Sequence, residues 1–204
     1  MAISCPIELD TQRLRFEVSR IYSRVAAEPG GQFHFHRGPQ YAAEFLGYDP
    51  AELAALPPEV TAPFAGIANP QRIGSIQVGE TVLDIGCGAG MDLLLAGRRV
   101  GPTGRAIGVD MTDAMLERAQ TSARALGLAQ VDVRKGDATS LPVDDASVDV
   151  VISNGVINLV PEKLRAFDEI DRVLKPGGRL HLADILLDEE LSEEARSNID
   201  LWTG

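Results

Sequence analysis

In the N-terminal stretch, apolar residues fall at Leu14, Val18, Ile21, Tyr22 and Val25, spacings of three and four that predict an amphipathic helix. PGGQFHFHRGP (residues 29–39) follows, a loop punctuated by glycine and proline at both ends. Inside it an extended chain puts Phe33 and Phe35 on one face and His34 and His36 on the other. Asp49-Pro50 predicts a helix start, with the carboxylate as N-cap and proline in the first helical position; AELAAL is its body and Pro57-Pro58 its stop. An irregular stretch then runs to Asn69-Pro70. Three short helices and two loops do not build an independent core. Residues 1–78 therefore read as a helical lid over whatever follows.

From Thr81 the pattern becomes regular. TVLDI predicts a strand, MDLLLAGRRV a helix and RAIGVD a second strand. TDAMLERAQTSARALG predicts a helix with Thr112 as N-cap and Gly127 as stop. VDVRKGD, VDVVISN and RLHLADILL are further strands, and PEKLRAFDEIDRVL is a helix ahead of the Lys175-Pro176-Gly177-Gly178 turn. Alternating strands and helices, with strands as uniformly apolar as VDVVI, predict an α/β fold: a Rossmann-like, doubly wound, mostly parallel sheet covered by helices on both faces, over residues 79–204.

Composition narrows the class. The chain has 204 residues, is 45% hydrophobic and 24% charged, and suits one globular unit with a sizeable core. No run approaches the ~18 apolar residues that span a bilayer, and MAISCPIELD has neither a basic nor an apolar leader region, so no membrane association is expected and the cytoplasm is the expected location. Nineteen basic against thirty acidic residues give a net charge of −11, which disfavours nucleic acid as a partner and tolerates a cationic small molecule. The only cysteines, Cys5 and Cys87, are expected to be free thiols.

The candidate chemistry lies in VLDIGCGAGM, where a strand enters a glycine turn and a helix leaves it. Glycines at alternate positions let the backbone approach a ligand that a Cβ would obstruct. The G-x-G-x-G spacing differs from the G-x-G-x-x-G of dinucleotide sites, and no phosphate-loop lysine follows. Asp84, just ahead of the glycines, disfavours a pyrophosphate and favours an ammonium or sulfonium. Asp110 ends the next strand, where an acidic residue takes ribose hydroxyls. A tight turn with no ligand is the plain alternative.

VLDIGCGAG, GVDMT, KGDATSLP, VDVVISN and LKPGG, in that order, resemble class I S-adenosylmethionine-dependent methyltransferases. GPTGRAIGVDMTDAMLERA, ISNGVINLVPEK, FLGYDPAELAALP and FAGIANP are most similar to the arsenite methyltransferases and their relatives. The resemblance implies S-adenosyl-L-methionine as cofactor and in-line methyl transfer to a small-molecule acceptor. It implies that Gly86, Gly88 and Gly90 form a floor under the methionine part of the cofactor, with Cys87 packed beneath and Asp84 turned to the amino group. Asp110 would hold the ribose, Met111 would pack on the adenine, and Asp137 would accept from the adenine amino group beside Ala138. Asn154 would lie by the methyl. Asp137 as a turn residue, Met111 as helix-cap packing and Asn154 as a strand-end cap are the alternatives.

The pattern also departs from that family. Its arsenic-binding thiols fall at positions held here by Ile67 and Gly155, and a third falls past Gly204, so arsenite is not expected as the acceptor. Tyr22, His34, His36, Gly155 and Asn158 are expected to line the acceptor site, with Tyr22 and the two histidines as candidate proton acceptors. No metal site is expected, since two histidines fall short of a zinc ligand set. His181 reads as a plain strand residue, and the acidic residues 188–190 and 193–194 as a solvated helix start. Family members add two strands after the helix that begins here near Ser192, so the C-terminal strands are expected to be missing. The resulting open edge predicts a homodimer or a second chain completing the sheet. Two other functions stay open: a non-catalytic or partner-completed cofactor-binding module, and a nicotinamide-dependent oxidoreductase.

Overall fold

The computed structural model describes residues 10–186. Asp10 caps α1 (Thr11–Ala27), its carboxylate accepting from the Gln12 and Arg13 amides. Then come α2 (Gly38–Leu46), α3 (Pro50–Ala54) and α4 (Pro58–Thr61). Among the described residues the N-terminal region thus holds four α-helices, where three helices were expected. Pro57 is extended, and Pro58 opens a new turn instead of only ending the old one, because proline suits the first helical position.

The α/β unit follows as β1 (Thr81–Ile85), α5 (Met91–Val100), β2 (Arg105–Asp110), α6 (Asp113–Ala125), β3 (Val131–Lys135), β4 (Val148–Asn154), α7 (Lys163–Val173) and β5 (Leu174–Ala183). All five strands are parallel, in the order β3-β2-β1-β4-β5. Alternate residues of β1 serve opposite faces: Val82 packs with Ala96 and Val100 of α5, and Leu83 and Ile85 pack with Ala166, Ile170 and Val173 of α7. α6 joins α5 on its side through Ala123. The predicted Rossmann-like sheet, covered on both faces, is therefore present. β3 and β5 are its edges.

Two local expectations change. Lys175 to Gly178 was read as a turn ahead of the last strand; the structure holds it inside β5 as an irregularity, with Leu174 paired to Val148 and Arg179 already paired to Val150. Thr112 sits at the N-cap of α6 but makes no cap bond, because its hydroxyl turns to Asp110. Cys5, the acidic residues 188–194, the helix near Ser192 and the chain end lie outside the described residues. No helix among the described residues is long and apolar enough to cross a membrane.

The strand order places β1 between β2 and β4, so the crossovers leave β1 in opposite directions and open a crevice at the C-terminal ends of β1 and β4. The glycine turn empties into that crevice.

Candidate functional site

The turn after β1 is fixed by β2. The Gly86 and Cys87 amides donate to the Val109 carbonyl at 2.7 and 3.1 Å, and the Gly88 amide donates to Asp110 Oδ2 at 2.9 Å. Asp110 Oδ1 accepts from the Thr112 amide at 2.8 Å. Its carboxylate therefore shapes the turn as well as lining the cavity. Gly88 has φ +52°, and a Cβ there would meet no protein atom within 4 Å: the backbone lies bare toward open space. Gly90 does something different from the floor expected of it. It lies outside the cavity lining, and its missing side chain lets Ala119 of α6 come within 3.1 Å of where a Cβ would stand.

The cavity measures about 1140 Å³ with its open mouth. Asp84, Gly86, Cys87, Gly88, Asp110, Met111, Asp137, Ala138, Asn154, Tyr22 and Gly155 all line it. Val18 of α1 and Val60, Pro63, Phe64, Ala65 and Gly66 line it from the N-terminal region. His34, His36 and Asn158 do not. The alternation in FHFH holds, but Phe33 and Phe35 take the inner face, packing with Tyr22, Ala89 and Met115, and leave both histidines exposed. His36 stacks on Tyr41 with ring centroids 5.2 Å apart. At Asn158 the chain turns so that Ile157 enters the core and the Asn158 amide donates to Asp184 at 2.9 Å.

Asp84 is the unusual group. It is 3% exposed, and its Oδ2 has no hydrogen-bond partner. Burial first, then the charges of Asp92 and Asp110, push its carboxyl well above the usual range, against one bond from the Leu93 amide. Asp110 and Asp92 are also raised, chiefly by burial. Burial, then the charges of Asp110 and Asp84, push up the Cys87 thiol, which favours its protonated form. Tyr22 is raised to about 12 by burial and by Asp110. Among the described residues no group of three or more His, Cys, Asp or Glu could hold a metal ion.

Behind the cavity lies a buried polar network that the sequence did not reveal. The Tyr48 hydroxyl donates to Asp92 Oδ1 at 2.7 Å, and Gln71 Nε2 donates to the Asp92 carbonyl and Oδ1 at 3.0 and 3.2 Å. Asn154 Nδ2 donates to Asp92 Oδ2 at 3.0 Å and to the Ala68 carbonyl at 2.8 Å; its Oδ1 accepts from the Ile67 and Ala68 amides at 2.9 and 3.2 Å. Asn154 thus pins residues 67–68 over the end of β4. The one available signal was a charge, Asp92, set in the apolar run MDLLLA.

At the opposite end Asp137 is spoken for. Its Oδ1 accepts from the Thr139 amide and hydroxyl at 2.8 and 2.6 Å, and its Oδ2 accepts from Arg15 Nε at 2.9 Å. Burial pushes its carboxyl up, but these donors outweigh burial and hold it below the ordinary value.

Residues 76–203 match the family described as a methyltransferase domain. The arsenite methyltransferase of Halobacterium salinarum is 42% identical over 162 residues, which are 79% of this chain and 41% of that protein. The demethylmenaquinone methyltransferase of Bacillus cytotoxicus is 34% identical over 109 residues, 53% of this chain and 46% of that protein. Among solved structures, an arsenic(III) S-adenosylmethionine methyltransferase from Chlamydomonas reinhardtii superposes with a TM-score of 0.67 at 41% identity, over 72% of this chain and 52% of that one. A SAM-dependent methyltransferase from Aquifex aeolicus gives a TM-score of 0.54 at 26% identity, over 76% and 79%. This chain spans less than half the length of these two curated relatives.

Proposed function

Since the chain belongs to the methyltransferase-domain family, whose cofactor is S-adenosyl-L-methionine, we propose that it transfers a methyl group from that cofactor to a small-molecule acceptor other than arsenite. The observation that carries the reading is Asp84, a buried carboxyl with an unpartnered Oδ2 in the lining of a cavity beside a bare glycine turn. A buried carboxylate without a cation is expensive, and a ligand bringing an ammonium and a sulfonium removes the expense. The residues fit the cofactor. Asp84 takes the amino group, Asp110 takes the ribose hydroxyls, and Met111 packs on the base. The cofactor supplies a methyl group on a positively charged sulfur, with a neutral thioether as leaving group.

The protein's own part is alignment and exclusion of water. Val60, Pro63, Phe64, Ala65 and Gly66 give the roof above the turn an apolar inner surface. Among the described residues the candidate bases do not stand ready there: His34 and His36 are outside, and Tyr22, raised to about 12, stays protonated at neutral pH. Such a roof suits an acceptor that brings its own reactive lone pair, a thiol or other soft nucleophile.

Arsenite is disfavoured by the same surface. At the two positions where the arsenic-binding thiols of the similar enzymes fall, Ile67 packs over Gly155, and a Cβ added at Gly155 would sit 3.4 Å from Ile67 Cγ2. Hydrocarbon, not sulfur, fills the gap. Wild-type protein is expected to leave arsenite unmethylated; arsenite turnover at rates matching a thiol acceptor overturns that part. For the cofactor, Asp110→Ala is expected to weaken binding by about 1–3 kcal/mol in calorimetry, the scale for losing a hydrogen bond to a charged group. An unchanged dissociation constant, or no binding by the wild type, would remove the reading.

A further inference from the structure

α1 crosses the cavity. Its C-terminal half is packed, with Val25 and Ala26 against Ala89 and Met115. Its N-terminal half buries Leu14 and Val18 and reaches the far side of the cavity with Arg15. Arg15 Nε donates to Asp137 Oδ2 at 2.9 Å, and Arg15 Nη2 donates to Glu162 Oε2 at 3.1 Å and to Thr139 Oγ1 at 3.4 Å. Arg15, Val18 and Tyr22, each about a helical turn from the next, all face the cavity. The guanidinium therefore joins three separate stretches of chain: α1, the turn after β3 and the segment before α7. Asp137 Oδ1 is fully engaged by Thr139, so Arg15 and any ligand at that end must share Oδ2.

We propose that Arg15 is a positioning residue for the cofactor, a pin that holds α1 shut over the nucleoside end of the cavity and aims the Asp137 carboxylate. The proposal rests on the cofactor reading above. Glu162 supplies half of the pin without lining the cavity. Both ion pairs remain open to water, with side-chain exposures of 31% for Arg15, 32% for Asp137 and 40% for Glu162, so the pin can release as well as hold. Cofactor entry and exit then require Arg15 to let go, and salt hastens both.

The test uses the full chain and radiolabelled S-adenosyl-L-methionine, chased with unlabelled compound to read the residence time. Glu162→Gln and Arg15→Lys are expected to shorten residence about threefold to tenfold, the scale of losing one or two partly exposed ion pairs. Added salt should shorten residence in the wild type and do so less in Glu162→Gln. Because Glu162 does not line the cavity, a change there reports release of α1. Equal residence times in the wild type and in Glu162→Gln overturn the proposal, including the case in which that variant melts lower while holding the cofactor as long. If Arg15→Lys fails to fold, Glu162→Gln alone decides. A wild type that binds no cofactor fails the earlier reading and leaves no residence to measure.

Discussion

Asp84→Asn is expected to abolish tight cofactor binding while stabilising the empty protein. Truncating one partner of a buried charge pair costs ~2–5 kcal/mol, a loss of roughly 30-fold to several thousandfold in affinity, readable by calorimetry. Stability moves the other way because the empty site gathers Asp84, Asp92 and Asp110, all with carboxyls raised by burial. A carboxyl raised in the folded state keeps its proton longer than the unfolded chain does, so its share of stability is intact below 3.8 and is lost as pH climbs toward the folded value. Melting curves of wild type and variant should therefore coincide in acid and separate upward, the variant melting higher, and saturating cofactor should erase the difference. Glu80, Asp132, Asp149 and Glu169, held low by arginine, lysine or backbone donors, set the opposite limit: their contributions fade as the solution is acidified below their ordinary values. A variant that binds the cofactor as well as the wild type would show that the orphaned oxygen has no ligand to meet.

Asn154→Ala should be the most damaging single truncation for the fold. Its Nδ2 has two hydrogens for three acceptors, Ala68 O, Asp92 Oδ2 and Tyr48 Oη, and its Oδ1 takes two amides. Removing it strands the Ile67 and Ala68 amides and one oxygen of a buried carboxylate, and leaves the Ala68 carbonyl only the Tyr48 hydroxyl, which Asp92 also engages. Each stranded group costs about 1–3 kcal/mol and the costs overlap, so the expected loss is about 3–5 kcal/mol, or roughly 6–20 °C in melting temperature. Asn154→Asp should be worse, since it sets a second carboxylate against Asp92. The Ala variant, assayed below its melting range, is expected to lose methyl transfer along with the roof. A destabilisation under about 1 kcal/mol would show that residues 67–68 are held by something else.

The sheet was legible because its signals are local. An apolar run, a glycine turn and an amphipathic run identify β1, the turn and α5 within one stretch of chain, and Asp84 and Asp110 follow from the strand ends. Pairings across the chain were not legible. Asn154 lines the cavity, but its partners Ile67 and Ala68 lie 87 and 86 residues away, and no pattern in the sequence announces them. Tyr48, Gln71 and Arg15 escaped for the same reason. The histidines failed in another way. Alternation tells which residues share a face, never which face turns inward, and Phe33 and Phe35 had more apolar surface to bury.

The roof has a consequence of its own. On the proposed reading, cofactor binding is written in β1, β2 and the turns after them, whereas the surface offered to the acceptor comes largely from one short stretch, residues 60–66, anchored just beyond its end by a single amide side chain. Donor and acceptor recognition are therefore separable inheritances, and exchanging that stretch could retarget the enzyme while its source of methyl groups stays the same.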